Sequence, residues 1–352
     1  MSVDPELVSK IQAASAKASA ALGTADALLI CTGAGMGVDS GLGTFRGRYA
    51  GVWPQLKAMR MDFSEMSQPV FFDCDPRLAW AFWKFRHDAY TLGKPHDGYR
   101  LLSQWGQMMR YGCFSVTSNI DGHWERTEGI GEKKLYECHG ALTRMQCVDD
   151  HGSIWATDPE GKIWRTDPEE IAKIAVPEWD LSPGEQVIVR YSGGEAEAVV
   201  QEDGCSLEVN GRPVAAEAVR RKDGPDLLRT FPASPLPLSP EKKPARPNVL
   251  MFGDRGVNCA VICQQRRAFQ DWLGQIPPSA NLVVVEVGAG KAVPTIRHHS
   301  ERVLEDYPNA KMIRINWDDS DVPQSLKARS VSIGGLGALE VLTRIDRQLS
   351  GT

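Results

Sequence analysis

The sequence predicts an α/β protein, with a doubly wound and mostly parallel sheet, helices on both faces, and a smaller domain formed by two insertions. An apolar run over residues 27–31 is typical of a buried parallel strand. It leads into Gly33-Ala34-Gly35 and a predicted helix, the order in which such sheets present backbone N–H groups to a phosphate. By itself, this glycine turn also fits a tight connection. The length of 352 residues suits two domains or one large domain with an insertion.

Composition excludes several classes of function. The net charge of −5 argues against a general nucleic-acid-binding protein, which usually carries a basic field. The chain has no apolar run of roughly 18 residues, so we expect no transmembrane helix and no membrane partner. The N-terminal segment lacks the apolar core of a signal peptide and predicts an amphipathic helix from about Asp4-Pro5 to Gly23. We therefore expect a cytoplasmic protein, and the oligomeric state stays open.

Six sequence blocks in a fixed order carry a resemblance to a known family. The string TGAGMGVDSGLGTFRG at 32–47 is similar to the NAD-binding signature of the sirtuins, which are NAD-dependent protein deacylases. The other blocks are TSNID at 117–121, HG at 139–140, RPNVLMFG at 246–253, VVVEVGAG at 283–290 with Val293-Pro294, and IRIN at 313–316. Because all six occur in the sirtuin order, the chain resembles a divergent, bacterial-type sirtuin.

The resemblance implies a Rossmann-like fold that binds NAD across the carboxyl ends of its strands. It also implies that NAD is consumed as a co-substrate. The positions that match the family's cofactor-binding blocks are Gly33, Ala34, Gly35, Val38, Ser40, Phe45, Arg46, Trp53, Ser118, Ile120, Gly288, Ala289, Gly290 and Asn316.

Three residues are the candidate catalytic groups. The resemblance assigns Asn119 and Asp121 to the carboxamide of nicotinamide, a task that suits an amide, which donates and accepts, and a carboxylate, which accepts. Without that context, the same residues fit an ordinary turn at a strand end. His139 is the candidate general base, because a neutral imidazole can take a proton from a ribose hydroxyl.

Several positions depart from the sirtuin pattern, and each change removes a polar contact. Gly37 replaces a serine, Gly43-Thr44 replaces Pro-Asp, Ser118 replaces a glutamine and Gly290 replaces a serine. Three functions therefore stay open: a lysine deacylase that transfers the acyl group to ADP-ribose, an NAD glycohydrolase or ADP-ribosyltransferase using the same pocket, and a non-catalytic sensor of NAD or ADP-ribose. Retention of His139 favours the deacylase.

The substrate implied by the resemblance is an acyl-lysine protein or a small acylated molecule. Trp83 and Arg86 occupy the positions at which sirtuins that remove acidic acyl groups carry Y-x-x-R, and arginine there pairs with a carboxylate. The alternative is that Trp83 belongs to the core and Arg86 to a solvated helix face. Phe252 and Gly253 are further candidate substrate contacts.

The chain divides into three predicted parts. Residues 1–47, 100–147 and 245–352 form the NAD-binding domain, and residues 48–99 form a cofactor loop and a helical lobe. Residues 148–244 form a β-rich insertion that contains the hairpin signal Asn210-Gly211 and ends in a proline-rich linker. This insertion stands where sirtuins carry their zinc module. It is predicted either as a scaffold that replaces the module or as a binding module for a partner or substrate.

The cysteines do not form the pattern of a structural zinc site. The chain has eight cysteines, and none belongs to a C-x-x-C pair. Sirtuins usually carry two such pairs after the His-Gly block, which suit tetrahedral zinc. Here Cys147 stands near the first ligand position without partners at the required spacing.

We predict that the purified protein contains no stoichiometric zinc. Elemental analysis of the full chain measures the metal content directly. About one zinc ion per chain, lost together with the fold on chelation, would contradict the prediction.

Overall fold

The structure is a computed structural model, and it describes only part of the chain. The described residues are 5–44, 56, 61–149, 152–155, 178–191, 194–202, 206–214, 216, 218–227, 229–230 and 236–351. Among them, no helix is long and apolar enough to cross a membrane.

The strands of the described residues are numbered in chain order. They are β1 (Ala27–Thr32), β2 (Cys113–Thr117), β3 (Leu135–Glu137), β4 (Gly140–Cys147), β5 (Glu178–Trp179), β6 (Gln186–Tyr191), β7 (Gly194–Val200), β8 (Leu207–Val209), β9 (Arg212–Val214), β10 (Ala218–Arg220), β11 (Arg229–Thr230), β12 (Ala245–Val249), β13 (Leu282–Val287), β14 (Lys311–Ile315) and β15 (Ser330–Ile333).

The helices are numbered in the same way. They are α1 (Pro5–Leu22), α2 (Phe63–Met66), α3 (Phe71–Cys74), α4 (Pro76–Leu92), α5 (Asp97–Gln107), α6 (Ala260–Gly274), α7 (Thr295–Asp306) and α8 (Ala338–Leu349). Short 3₁₀ segments cover Ala34–Ser40, Glu132–Lys134 and Gln324–Arg329. The observed bounds of α1 agree with the N-terminal helix that the sequence predicts.

The central sheet has six parallel strands in the order β15-β14-β13-β1-β2-β3. The predicted fold class is therefore confirmed. Every residue of β1 and β13 is buried, because helices cover both faces of the sheet. After β1 the chain adds strands on one side and later returns to add β13 on the other. This reversal creates a switch point between β1 and β13, where doubly wound sheets bind ligands.

Two apolar cores cover the two faces of the sheet. One packs α1, α5 and α8 against the sheet through residues such as Leu22, Trp105 and Val341. The other packs α6 and α7 through residues such as Phe269 and Leu304. Each core gives the sheet a fixed support, so the strand ends at the switch point are held in place from both sides.

The helical lobe has a separate core that also includes residues of the sheet edge. Met66, Phe82 and Trp83 pack with Ile120 and Met251 in one buried cluster. The indole of Trp80, on α4, donates a hydrogen bond of 3.2 Å to the Ala245 carbonyl on β12. The lobe is thereby attached to the strands that bracket the β-rich insertion.

The β-rich insertion forms an antiparallel sheet in the order β10-β6-β7-β8-β9, with its own buried cluster of valines, leucine and alanine. Asn210 and Gly211 have positive φ angles of 53° and 72° between β8 and β9, as their hairpin signal predicts. The two ends of the insertion meet where β4 pairs with β12 and the Val148 N–H donates to the Pro244 carbonyl at 3.0 Å. We propose the three predicted parts of the chain as its domains on this basis.

Candidate active site at the switch point

The glycine turns that follow β1 and β13 are in direct backbone contact. The Gly33 N–H donates to the Val287 carbonyl at 3.0 Å, and the Gly35 N–H donates to the Gly288 carbonyl at 3.0 Å. A Cβ atom on Gly35 would lie 2.7 Å from the Cα of Gly288, and one on Gly288 would lie 2.2 Å from the Met36 nitrogen. Side chains at these positions would therefore separate the two turns.

A cavity of about 520 Å³ lies over this contact. Nine of the predicted cofactor residues line it: Gly33, Ala34, Gly35, Val38, Ser118, Gly288, Ala289, Gly290 and Asn316. Sequence reasoning missed other lining residues, among them Asp39, Ala292, Trp317, Asp318, Asp319 and Glu340. The acidic pair Asp318-Asp319 follows the predicted strand that ends in IRIN, and this placement could have indicated that the pair lines the site.

Asn316 and Asp39 organise the walls of this cavity. The Asn316 amide donates to the Ala289 carbonyl at 2.9 Å, and its oxygen accepts from the backbone N–H of Asp318 and of Asp319. Asp39 accepts from the Leu339 N–H at 2.8 Å, so its carboxylate satisfies a backbone donor in the first turn of α8. The cavity therefore combines a glycine backbone floor with an acidic rim.

A second, narrow cavity of about 20 Å³ contains the predicted nicotinamide residues. Asn119 and Asp121 line it together with Ile120, Arg86 and Tyr90. The Asn119 amide donates to the Gly33 carbonyl at 3.0 Å, and Asp121 accepts from the His123 N–H at 2.9 Å. The Asn119 side chain is thus fixed against the first glycine turn, and that of Asp121 against the backbone that follows it.

A buried chain of hydrogen bonds holds the backbone of Asn119 in place. The Trp124 indole donates to the Thr32 hydroxyl at 2.9 Å, and Thr32 donates to the Thr117 hydroxyl at 2.9 Å. Thr117 in turn accepts from the Asn119 backbone N–H at 3.0 Å. These contacts join the ends of β1 and β2, so the position of Asn119 depends on the sheet itself.

A third cavity of about 460 Å³ extends from the sheet edge to the helical lobe. Its lining residues are Phe63, Ser67, Trp83, Arg86, Ser118, Ile120, His139, Val249, Leu250, Met251, Phe252, Gly253, Asp254, Arg255 and Val293. Ser118 lines all three cavities, and Arg86 and Ile120 line the second and third. The three cavities therefore converge at Ser118, beside the carboxyl end of β2.

His139 lies in the third cavity, shortly after β3. Its Nε2 is 3.2 Å from the Thr295 hydroxyl at the start of α7. Burial lowers the pKa of His139 below its usual value of 6.5, and a hydrogen bond to the Ser118 backbone opposes that change by less. The imidazole is therefore mainly neutral at pH 7, as a general base requires.

Arg86 lies inside the protein and not on a solvated helix face. It is 6% exposed, its guanidinium carbon is 4.5 Å from the centre of the Phe63 ring, and it donates to the Tyr90 hydroxyl. Burial lowers the pKa of Arg86, but an arginine remains charged at neutral pH. Trp83 is 2% exposed, so it is both a core residue and part of the cavity wall.

Comparison with known proteins identifies the family. A sequence profile of the Sir2 family matches residues 33–258, which is more than half of the chain. The chain belongs to the Sir2 family.

Curated relatives match part of the chain. An NAD-dependent protein deacylase of Aquifex aeolicus is 29% identical over 122 residues, 35% of this chain and 47% of that protein. One of Aeropyrum pernix is 33% identical over 119 residues, 33% of this chain and 44% of that protein. The chain thus spans about half the length of the curated relatives that it matches.

Solved structures of Sir2 proteins share the fold over nearly the whole chain. A Sir2 enzyme structure has a TM-score of 0.55 and 16% identity, covering 97% of this chain and 99% of that one. A Sir2 homologue in complex with NAD has a TM-score of 0.52 and 16% identity, covering 95% and 93%. At this identity, the similarity establishes the common fold.

Some predicted residues of this Sir2-family chain are not in the three cavities. The Ser40 hydroxyl accepts from the His96 backbone N–H at 3.1 Å and does not line them. Phe45, Arg46 and Trp53 lie outside the described residues. Within the described ranges, no group of three or more His, Cys, Asp or Glu side chains is placed to hold a metal ion.

Replacing Gly288 with alanine should destabilise the protein by more than about 3 kcal/mol, because the new Cβ adds overlap with the first turn to the cost of a positive φ. Urea unfolding of Gly288→Ala and of the control Gly112→Ala tests this. Gly112 also has positive φ, 66°, but a Cβ there meets nothing within 4 Å. The control should lose only about 1 kcal/mol, and equal losses in both variants would contradict the contact.

Proposed function

We propose that this Sir2-family protein is an NAD-dependent lysine deacylase, which cleaves the nicotinamide–ribose bond and transfers the acyl group to ADP-ribose. The convergence of the three cavities at Ser118 carries the proposal. It provides one space for a dinucleotide, one for a small polar ring substituent and one for an acyl-lysine, with His139 lining the last. The substrate is an acyl-lysine protein or a small acylated molecule.

The largest cavity fits NAD as the co-substrate. Its floor is formed by glycines that carry no side chain, so a pyrophosphate can approach the backbone closely. Asp39, Asp318 and Glu340 offer carboxylate acceptors that suit ribose hydroxyls and disfavour phosphate. The acidic rim therefore suits the ribose of an adenosine diphosphate, and the glycine floor suits its pyrophosphate. NAD supplies the electrophilic ribose carbon.

Two further roles, binding of the nicotinamide carboxamide and proton transfer, fall to Asn119, Asp121 and His139. Asn119 and Asp121, fixed by their backbone contacts, would bind the nicotinamide carboxamide by donating and accepting hydrogen bonds. His139 would accept a ribose hydroxyl proton, and its lowered pKa keeps it ready to do so at neutral pH.

The size and lining of the third cavity favour deacylation over NAD hydrolysis. A hydrolase needs room only for water beside the ribose, whereas this cavity has about 460 Å³ and apolar walls that include Phe63, Ile120 and Val249. Nicotinamide release that does not depend on an acylated peptide would favour the alternative, and binding of NAD without any turnover would favour a sensor.

We further propose a preference for acidic acyl groups. Arg86 is a buried cation that lines the third cavity, and a carboxylate in low dielectric surroundings forms a strong charge-assisted hydrogen bond with a guanidinium. Its contact with Tyr90 orients the guanidinium from the same helix.

His139→Ala should slow NAD-dependent deacylation by about 10²–10⁴-fold while NAD affinity changes little, because the ring is assigned a proton and not the cofactor. Peptide deacylation and calorimetric NAD binding measure the two effects. His298→Ala is the control, since His298 is exposed on α7 and lines none of the three cavities. In the wild type, the rate should fall only below pH 6.5, as His139 becomes protonated. Deacylation close to wild type in His139→Ala would contradict the assignment.

Arg86→Met should lower kcat/KM for succinyl-lysine by about 10–100-fold and leave acetyl-lysine almost unchanged, because a hydrogen bond to a charged group contributes about 1.5–3 kcal/mol. Steady-state kinetics on matched peptides provides the ratio. Arg77→Met, an exposed position on the same helix, is the control and should not alter it. An unchanged succinyl-to-acetyl ratio in Arg86→Met would show that the residue does not select the acyl group.

A further inference from the structure

Two side chains in the third cavity carry buried polar atoms without a hydrogen-bond partner. They are the hydroxyl of Ser67 and the indole nitrogen of Trp83, which are 3% and 2% exposed. Both residues line the cavity of about 460 Å³. An unsatisfied buried donor is costly, so its presence at a cavity wall calls for a ligand that satisfies it.

Trp83 differs from other tryptophans of the described residues in this respect. The indole nitrogens of Trp80, Trp105, Trp124 and Trp272 each donate a hydrogen bond of 2.8–3.2 Å within the protein. Trp83 packs edge-on against Phe82 at 5.4 Å between ring centres and leaves its N–H unused. Fold stability alone does not require that donor.

Ser67, Trp83 and Arg86 belong to one wall of the cavity. Ser67 ends α2, and its backbone carbonyl accepts from the Phe252 N–H at 2.9 Å, which holds it beside the loop after β12. Trp83 precedes Arg86 by three residues on α4, and the guanidinium carbon lies 5.5 Å from the Trp83 ring. The helical lobe therefore presents two neutral donors and one cation to the same space.

The charges around the cavity favour an anionic ligand. The cations Arg86 and Arg255 line the cavity. The carboxylate that also lines it, Asp254, is paired with the buried Arg246 at 2.9 Å. A carboxylate accepts only, and its two oxygens can serve several donors at once. A neutral hydrocarbon chain would leave both donors unsatisfied.

We propose that Ser67 and Trp83 are specificity-determining residues, whose O–H and N–H groups donate to the distal carboxylate of a dicarboxylic acyl group on lysine. The assignment rests on the proposed deacylase and adds two residues to the role given to Arg86. The indole N–H of Trp83 supplies a donor at the position where the Y-x-x-R pattern has a tyrosine hydroxyl. The preference for acidic acyl groups therefore does not depend on Arg86 alone.

Trp83→Phe and Ser67→Ala test the proposal, because each removes one donor and keeps most of the side-chain volume. The substrates are one peptide carrying succinyl-lysine or butyryl-lysine, which have the same chain length and differ in the terminal acceptor. Each variant should lower the succinyl-to-butyryl ratio of kcat/KM by about tenfold, because only the succinyl group carries the acceptor. Trp272→Phe and Ser64→Ala make the same substitutions outside the cavity and should leave the ratio unchanged.

Binding separates this proposal from the proposed function. Calorimetry with the same peptides and the full chain, with NAD omitted, should show that both variants lose more affinity for the succinyl peptide than for the butyryl peptide. An unaltered succinyl-to-butyryl ratio in kinetics and in binding would overturn the donor assignment, even if the wild type deacylates both peptides. A wild type that binds the succinyl peptide through these donors but transfers no acyl group would instead contradict the proposed function.

Discussion

The backbone contact between the turns after β1 and β13 is the constraint on which the site depends. Gly35 and Gly288 approach so closely that neither tolerates a side chain, and this approach brings two strand ends and their loops to one point. The cavity of about 520 Å³ lies over that contact, and Asn119 is anchored to the first turn through the Gly33 carbonyl. The order of the sheet thus determines where cofactor chemistry is possible, and the side chains determine which chemistry follows.

The wall of the third cavity depends on a second set of buried contacts. Asp254 pairs with Arg246 and accepts from the Gly256 N–H, while the Gln146 amide oxygen accepts from Asn248 and from the Asn258 backbone, both at 2.9 Å. These contacts fix the loop that carries Phe252 and Gly253 at the base of the β-rich insertion. These buried polar contacts hold the loop between β12 and α6 in one position, so this wall of the third cavity is preformed.

The sequence predicted the parts of the site that are local in the chain. The glycine turn after β1 and the TSNID block at the end of β2 each adjoin an apolar run in the chain, so both could be placed at strand ends without tertiary information. The burial of Arg86 could not be predicted in this way, because it depends on Phe63, which comes from another helix. The acidic rim was missed for a similar reason: Asp39 and Glu340 meet only because α8 packs beside the first turn.

The most direct test of the deacylase account is the identity of the product formed from the wild-type protein, NAD and an acyl-lysine peptide. The account predicts that mass spectrometry detects O-acyl-ADP-ribose in equal amount to the nicotinamide released, and that both appear only with the acylated peptide. Free ADP-ribose formed at the same rate with or without the peptide would contradict it.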